Sequence, residues 1–535
     1  MKKHCLILLF MAVCNTAFIF GEGEGKKIFE QKCGKCHGLD RALNVKKDEE
    51  AWKKTVERMA EKSKGIILEQ DVYKIARYLV TRQNGEKDNN GEKRDEPGKA
   101  EEYEEEILEF KKVKVEQFIK SDICGNCHEE IYKQWNGSMH SKAFIDPVWR
   151  ASTKLFMNEV TTKGQILEMK TCIKCHTPLG FRSYLIQSPK EDYNKLEDLP
   201  AQGIFCNWCH NINEAKHIGD AGYEVATGGG EEDPPTMLGP RSDAKSDYHP
   251  TKYSELFTKA EFCGLCHNVS HAGNKLFLEQ TYTEWERSQY NTGDPKTTVV
   301  CQDCHMRQKP GFPSTGKTAR PDNPGKSADD GLSRDHIWTH YFVGGNSIIP
   351  KILGSDIHST MAIERLTNAA DLEIIKDVNY KKGGLAKIMV KVINSGAGHY
   401  IPTGLTELRQ VWLDIKITDK GENIIFKSGA LDPNGEIDEG AVIYHTILGN
   451  EKGEPVKNAA LAEKILYDHR RIPPKGYVVE NYSFIVPENA VSPLKVDVVL
   501  KYRSVSPGIA KLFLGEKAPE IPVVDMVSLS EKIDL

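Results

Sequence analysis

Cys124-Gly-Asn-Cys127-His128 is one of six stretches in this sequence that share the pattern C-x-x-C-H. The cysteine pairs are Cys33/Cys36, Cys124/Cys127, Cys172/Cys175, Cys206/Cys209, Cys263/Cys266 and Cys301/Cys304, and the histidines are His37, His128, His176, His210, His267 and His305. C-x-x-C-H is the attachment signature of haem c: two thiols form thioether bonds to the porphyrin, and the histidine binds its iron. The sequence therefore predicts six covalently bound haem c groups.

The remaining cysteines support this interpretation. Of the 14 cysteines, only Cys5 and Cys14 lie outside the six motifs, and both lie in an apolar N-terminal segment. A disulfide pair, a thioredoxin-like redox pair or half of a zinc site needs no histidine directly after the second cysteine. Once the N-terminal segment is removed, no thiol is left for a disulfide.

Residues 1–21 have the pattern of a cleaved secretory signal peptide. Lys2 and Lys3 precede an apolar run from Leu6 to Phe20, and small and acidic residues follow. The run is short for a membrane span, although a retained N-terminal anchor is the alternative. We expect a periplasmic or extracellular protein with no integral membrane segment after signal cleavage. Export agrees with haem c, because bacteria attach this cofactor outside the cytoplasmic membrane.

The formal net charge of −5 disfavours nucleic acid as a partner, because a phosphate backbone attracts basic surfaces. Composition and hydrophobic pattern divide the rest of the chain into four parts. They are a helical unit at residues 22–83, a charged linker at 84–118, a core with five motifs at 119–370, and a C-terminal β domain at 371–535.

The first unit carries an apolar stripe on a predicted helix. Trp52, Val56 and Met59 follow each other at i, i+4 and i+7. With its C-x-x-C-H motif, the unit resembles a class I cytochrome c domain, in which a W-x-x-x-V-x-x-M helix supplies a methionine to the second face of the haem. The resemblance implies that Met59 binds the iron of the Cys33/Cys36 haem, and plain core packing is the alternative.

The core and the C-terminal domain differ in pattern. Five motifs lie between Cys124 and His305, too close together for each haem to have its own protein core, so the porphyrins must pack against one another. From about residue 371 the apolar residues alternate, as at 387–392, 411–418 and 494–502, which is typical of half-buried strands. The predicted fold class is multidomain α+β: a small helical cytochrome c domain, a haem-packed core that is mainly helical and coil, and a C-terminal antiparallel β-sandwich.

Parts of the core resemble the tetrahaem cytochrome c-554 family. The stretches that carry the resemblance are the Cys124 motif with Trp135-Asn-Gly-Ser138-Met-His140, Glu284-Trp285-x-x-Ser288-x-Tyr290, and Cys301-Gln-Asp-Cys304-His305-Met306. That family belongs to a wider group of multihaem cytochromes, which includes hydroxylamine oxidoreductase and pentahaem nitrite reductase. The resemblance covers about residues 119–345. Six haems, two flanking domains and the absence of a C-x-x-C-K motif depart from these relatives, so the resemblance implies no particular substrate or partner.

Similar proteins indicate which residues bind the second face of the core haems. The implied distal ligands are His140 in W-x-x-S-x-H, His217 shortly after a motif, His249 before a motif, and His340 before F-x-G-G-N, with His336 as the rival of His340. The G-P-G-S-x-H insert that usually accompanies a ligand such as His217 is absent. Similar G-H-x-x-P-T-G segments follow multihaem cores in other exported cytochromes, so we expect His399 to reach back to a haem iron. A tight turn with an exposed histidine is the alternative.

Axial ligation decides between the possible functions, because a fully ligated haem suits electron transfer and an open position suits catalysis. The sequence favours an exported hexahaem electron carrier between other redox proteins, with no catalytic residue assigned. The His/Met haem would have the highest potential and accept electrons last. The alternatives are a multihaem oxidoreductase that acts on small nitrogen or sulfur compounds at a five-coordinate haem, and a subunit of an extracellular cytochrome filament. The sequence leaves the donor, the acceptor and the oligomeric state open.

The intact mass of the mature protein tests the haem count. We expect the mass of the cleaved polypeptide plus six haem groups, because six complete motifs use every mature thiol. Denaturation should release no haem, since thioether bonds are covalent. Five or fewer haems after full maturation would contradict the prediction.

Substitution of Met59 tests the second ligand of the N-terminal haem. We expect Met59→Ala to abolish the weak near-infrared sulfur-to-iron band and to lower the potential of that haem, because a methionine ligand raises the potential. Near-infrared absorption and a redox titration measure the two effects. An unchanged band and potential would assign Met59 to core packing.

Overall fold

The structure, a computed structural model, divides the chain into two compact units, residues 1–104 and 105–535. It describes residues 28–33 and 49–62, several single positions between 42 and 79, and residues 110–535 apart from 378–379 and 469–470. The predicted signal peptide and most of the predicted linker lie outside the described residues. No helix in the described part of the chain is long and apolar enough to cross a membrane.

The first unit is built around one helix, α1 (Glu49–Lys62), and a short π-helical turn, Phe29–Cys33. Trp52 and Val56 are buried in its core, whereas the Met59 side chain is 36% exposed. Cys33 lies at the end of the π-helical turn, but Cys36 and His37 lie outside the described residues. Ligation by Met59 therefore stays a prediction.

Short helices form most of the core in the second unit, and several of them contain a C-x-x-C-H motif. The α-helices are α2 (Ser121–Gly125), α3 (Glu129–Asn136), α4 (Met139–Lys142), α5 (Pro147–Phe156), α6 (Lys163–His176), α7 (Pro178–Arg182), α8 (Cys206–Cys209), α9 (Glu261–Gly264), α10 (Thr281–Glu286), α11 (Cys301–His305), α12 (Ile348–Ile352) and α13 (Asp356–Leu366). Single 3-10 turns lie at Val115–Gln117, Tyr193–Lys195, Leu199–Gln202 and Glu255–Thr258. Such short helices suit a core in which much of the apolar surface belongs to porphyrin.

Three two-stranded sheets complete the core. The pairs are β1 (Ile212–Ala215) with β2 (Tyr223–Val225), β3 (Met237–Gly239) with β4 (Thr251–Tyr253), and β5 (Val269–Ser270) with β6 (Phe277–Glu279). The first and third pairs are antiparallel and the second is parallel. The predicted core of short helices and loops with little sheet agrees with this structure.

Capping residues fix where the helices around the second core motif begin. The Asp146 carboxylate accepts hydrogen bonds from the backbone N–H groups of Val148 and Trp149 at the start of α5. Thr162 and Gln165 form a capping box at the start of α6. Because α6 ends in Cys172-Ile-Lys-Cys175-His176, the position of this helix sets the position of the motif.

The C-terminal part is an antiparallel β-sandwich. Its strands are β7 (Asp371–Lys376), β8 (Leu385–Ile393), β9 (Gln410–Thr418), β10 (Ile424–Ser428), β11 (Ile443–Tyr444), β12 (Thr446–Gly449), β13 (Pro455–Val456), β14 (Lys464–Asp468), β15 (Tyr477–Ile485), β16 (Leu494–Arg503) and β17 (Val524–Ile533). One sheet has the order β10-β9-β16-β17 with β11 also on β9, a second has the order β15-β8-β7, and a third has the order β13-β12-β14. Alternate residues of β8, β9 and β16 share one apolar core, which confirms the predicted fold class.

The β-sandwich packs directly on the core, since both belong to the second unit. A helix that follows β16, α14 (Pro507–Leu514), lies against α5, and a 3-10 turn, Ala459–Leu461, lies against α6. Phe513 and Ala460 contribute to an apolar cluster with Phe156 and Met169 of these two helices. The β domain therefore holds the helix that carries the Cys172 motif.

Candidate haem sites

One continuous cavity of about 1730 Å³ runs through the second unit. Its wall includes all ten cysteines of the five core motifs. It also includes nine histidines: His128, His140, His176, His210, His249, His267, His305, His340 and His399. Five of these belong to the motifs, and the other four were proposed from the sequence as distal ligands.

The five motif histidines are held in the same way, by a hydrogen bond at the Nδ1 ring nitrogen. The acceptors of the Nδ1 atoms of His128, His176, His210, His267 and His305 are Ser327 O at 2.5 Å, Ala143 O at 2.6 Å, Leu238 O at 2.7 Å, Glu279 Oε1 at 3.3 Å and Val343 O at 3.0 Å. A histidine that donates through Nδ1 has its lone pair on Nε2, the form that binds a metal. These residues therefore fit the proximal side of a c-type haem.

Three of the distal candidates face a motif histidine at nearly equal distance. Ring centres are 6.4 Å apart for His128 and His249, 6.4 Å for His305 and His399, and 6.2 Å for His140 and His267. Imidazole binds a metal at roughly 2 Å, so two rings on opposite sides of one iron have their ligating nitrogens about 4 Å apart. Each ring centre lies about half a ring width behind its ligating nitrogen, so the two ring centres must be farther apart than the two nitrogens. The observed separations of 6.2 to 6.4 Å agree with this geometry.

His340 also lies near a motif histidine, His210. Its Nδ1 atom contacts Trp338 O at 3.0 Å, and its backbone N–H donates to Gln134 Oε1 at 2.8 Å. Burial lowers the pKa of His340 to about 3, and His210 contributes to the same shift. The rival, His336, is outside the cavity wall, where its Nδ1 atom accepts a hydrogen bond from Asn323 N at 3.1 Å. The structure thus brings His340, and not His336, to the cavity.

His217 is the one proposed ligand of the core that the structure does not bring to the cavity. It lies in the turn that follows β1, where its ring is exposed and its Nδ1 atom contacts Ile218 O at 3.3 Å. Two further histidines, His271 and His358, are buried, but both of their ring nitrogens make hydrogen bonds within the protein. These two stabilise the packing and have no free nitrogen for iron.

His176 is the motif histidine for which no cavity histidine in the described part of the chain is left as a partner. The Trp149 ring stacks on the His176 ring, with centres 4.2 Å apart and an interplanar angle of 5°. Eight of the nine cavity histidines make four couples, so within the described residues no histidine is placed to bind the second face of a haem at Cys172 and Cys175. Such a haem can bind an external ligand.

Polar residues of the β domain border this part of the cavity. Arg409 and His176 both act electrostatically on Asp146, and Glu279 acts on both Cys175 and Glu407. Burial raises the pKa of the Glu407 carboxyl to about 7. No sequence motif marked Glu407 or Arg409, because the β domain brings them to the cavity only through tertiary packing.

Asn458, also in the cavity wall, adds a hydrogen-bond donor from the same domain. Its side chain is 3% exposed, and its Oδ1 atom caps the 3-10 turn by accepting from Ala460 N at 2.9 Å. Its Nδ2 atom makes no hydrogen bond within the described part of the chain. A buried donor of this kind costs free energy unless a bound group accepts from it, so Asn458 fits a contact with a haem or its ligand.

The loop that carries His399 is held against the core by a buried acid. Glu284 of α10 accepts hydrogen bonds from Tyr400 N at 3.1 Å and from Thr403 Oγ1 at 2.7 Å, and it also pairs with Arg471. Gly396 allows the close approach, since a Cβ atom there would lie 2.0 Å from Asn368 O. A Cβ atom at Gly398, by contrast, would make only ordinary contacts.

Contacts between thiols show which motifs are neighbours. The thiols lie close enough to interact in three pairs, Cys124 with Cys206, Cys175 with Cys266, and Cys263 with Cys301. Cys209 is a further electrostatic neighbour of Cys263. Because each thiol would attach to a porphyrin edge, haems at these motifs would be neighbours within the one cavity.

Comparisons with known proteins agree with this arrangement. Residues 123–211 match the sequence model of the family described as cytochrome c554 and c-prime. The fold is similar to the crystal structure of a penta-heme cytochrome c552 from Thermochromatium tepidum, with a TM-score of 0.52, 19% sequence identity, and coverage of 78% of this chain and 99% of that chain. A search of curated proteins found no match.

The motifs, the cavity and these comparisons agree with the class that the resemblance in the sequence implied, a multihaem c-type cytochrome with a C-terminal β domain. The family match spans one part of the core, from the helix that carries Cys124 to the residue after His210. Haem c is accordingly the cofactor that the C-x-x-C-H motifs hold.

Substitution of the distal candidates tests the histidine couples. We expect His140→Ala and His399→Ala each to convert one low-spin haem to high-spin without loss of covalent attachment, and His399→Ala also to increase proteolysis of the β domain. Electron paramagnetic resonance of the oxidised protein counts the spin states. His217→Ala is the control. It should change neither the spin states nor the rate of proteolysis, because its side chain lies outside the cavity wall. A His140 or His399 variant with the wild-type spectrum would remove that residue from the ligand set.

Proposed function

We propose that the protein is an exported hexahaem electron carrier that passes electrons along covalently bound haems between other redox proteins. The observation that carries the proposal is the set of facing histidines: His249, His140 and His399 each lie across the cavity from a motif histidine at 6.2 to 6.4 Å. An iron held by two imidazoles has no free position, so it exchanges electrons and binds no substrate.

The proposal includes the sixth haem, in the N-terminal unit. Cys33, Cys36 and His37 would hold it, and Met59 would bind its second face. A methionine ligand raises the potential of a haem relative to two histidines, which makes this haem the final acceptor within the chain. The signal-like segment at residues 1–21 supports export, where the partners would be periplasmic or extracellular redox proteins.

A reductive titration of the holoprotein tests this function. The fully oxidised protein should take up six electrons per chain, one for each haem iron, and a redox partner should reoxidise it completely. Fewer than six electrons, or haems that exchange electrons neither with one another nor with a partner, would contradict the proposal.

His176 favours a second candidate function, a multihaem oxidoreductase for small nitrogen or sulfur compounds. Bound haem supplies redox chemistry at an iron with one open position, and Trp149 and Ala143 O hold the proximal imidazole in place. Glu407 lies in the wall of the same cavity and has a pKa of about 7, so its carboxyl can give or take a proton at neutral pH. Reductions of nitrite and of hydroxylamine consume protons, which such a group can deliver.

Spectroscopy with an added ligand separates the two functions. We expect the oxidised wild-type protein to show one high-spin haem, and cyanide to convert that haem to low-spin while the others keep their signals. Turnover of hydroxylamine or nitrite by the reduced protein would establish the enzyme, and cyanide binding without turnover would leave the electron carrier. A spectrum without any high-spin haem would contradict an open position at His176. If that spectrum became partly high-spin on dilution, a neighbouring subunit would supply the ligand, as in a filament.

A further inference from the structure

One core motif differs from the other four in the group that its histidine contacts. The Nδ1 atoms of the other four donate to backbone carbonyl oxygens, whereas Nδ1 of His267 lies 3.3 Å from the Glu279 carboxylate. Glu279 is 16% exposed, and the Thr281 hydroxyl donates to the same oxygen at 3.3 Å. The carboxylate is therefore held at the ring by its neighbours in β6 and α10.

A carboxylate behind a metal-binding histidine changes the metal. It draws the Nδ1 proton toward itself and makes Nε2 a stronger electron donor, which stabilises the more positive state of the metal. A carbonyl oxygen does this less, because it carries no full charge. The Glu279 contact thus lowers the tendency of the haem at His267 to accept an electron, relative to the four haems whose histidines face carbonyl groups.

The motif at His305 has a charge of the opposite sign beside it. Arg365 Nη1 donates to Cys304 O at 2.9 Å and to Gln308 Oε1 at 2.8 Å, and the residue lines the cavity. None of the ion pairs in the described part of the chain includes Arg365. A guanidinium stays protonated even when buried, so its charge favours an added electron on the neighbouring haem.

The two motifs are direct neighbours, and the motif at His267 is a junction. Cys263 contacts Cys301 of the His305 motif, and Cys266 contacts Cys175 of the His176 motif. Cys263 is also an electrostatic neighbour of Cys209. The haem at His267 thus lies next to three of the other four core haems.

We propose that Glu279 and Arg365 set opposite potentials on two adjacent haems: Glu279 makes the haem at His267 the low-potential branch point of the array, and Arg365 makes the haem at His305 an electron sink. One electron leaves the iron held by His267 and reduces the iron held by His305, with no bond formed or broken. Both haems must be attached for this to hold, which the intact mass establishes independently.

Redox titration of the full-length holoprotein, monitored by electron paramagnetic resonance, tests the proposal. Glu279→Gln keeps an acceptor for Nδ1–H and removes the charge, so one haem should become easier to reduce by on the order of tenfold, equivalent to about 59 mV for a one-electron couple. Arg365→Met should shift a different haem in the opposite direction. Glu279→Asp and Arg365→Lys keep the charges, so each should leave the haem potentials close to their wild-type values.

Two further variants identify the haem and control for surface charge. In a His140→Ala background, the haem at His267 is marked by the high-spin signal that this substitution adds to that of the haem at His176, and the Glu279→Gln shift should appear on the added signal. Glu255→Gln removes the same charge eight residues before Cys263, but Glu255 pairs with Lys259 at 3.1 Å and should leave every potential unchanged. The proposal fails if Glu279→Gln shifts no potential or shifts the potential of a haem other than the marked one. It also fails if Glu279→Asp or Glu255→Gln produces a shift of the same size.

Discussion

Pairs of histidine rings that face each other across one cavity set the dimensions of the second unit. Each couple joins segments that are far apart in sequence, such as His128 with His249 and His305 with His399. A metal–nitrogen bond tolerates little variation in length, so the helices and loops behind each ring must be held at a fixed separation. Backbone carbonyl groups that accept from Nδ1 provide this support at four of the five core motifs, and a carboxylate provides it at the fifth. The helix caps, the short sheets and the β domain all help to hold the facing histidine rings at this separation.

The β domain belongs to this system of supports. Glu284 binds the His399 loop through two hydrogen bonds and pairs with Arg471 in buried surroundings. Loss of one partner from a buried pair costs roughly 3–5 kcal/mol, so the pairing holds the domain firmly on the core. The same domain also brings Glu407, Arg409 and Asn458 to the region of the His176 motif. One module thus brings His399 to face His305 and supplies further polar residues to the wall of the same cavity.

Local sequence patterns predicted much of the fold and part of the site. Six motifs with fixed internal spacing predicted the cofactor, and alternating apolar residues predicted the sandwich, since both signals are contained in a few consecutive residues. Contacts between distant segments gave no such signal, which is why Glu279 behind His267 and the unmatched His176 emerged only from the structure. His217 shows the converse case, a sequence signal without the expected placement. It follows its motif closely in sequence, yet it lies at the surface in the turn after β1. Iron binding stays a prediction for the five proposed distal ligands, Met59, His140, His249, His340 and His399.

The position of His399 in the chain has a consequence for maturation. Five core motifs precede this residue, so ribosomal synthesis delivers every core attachment site before the loop that borders them. The loop lies in the wall of the cavity that porphyrin would fill, so its final position is defined only when that apolar space is occupied. Correct seating of the loop would then depend on completed haem insertion, and an immature chain would leave the loop open to proteases. The order of residues along the chain thereby acts as a check on assembly.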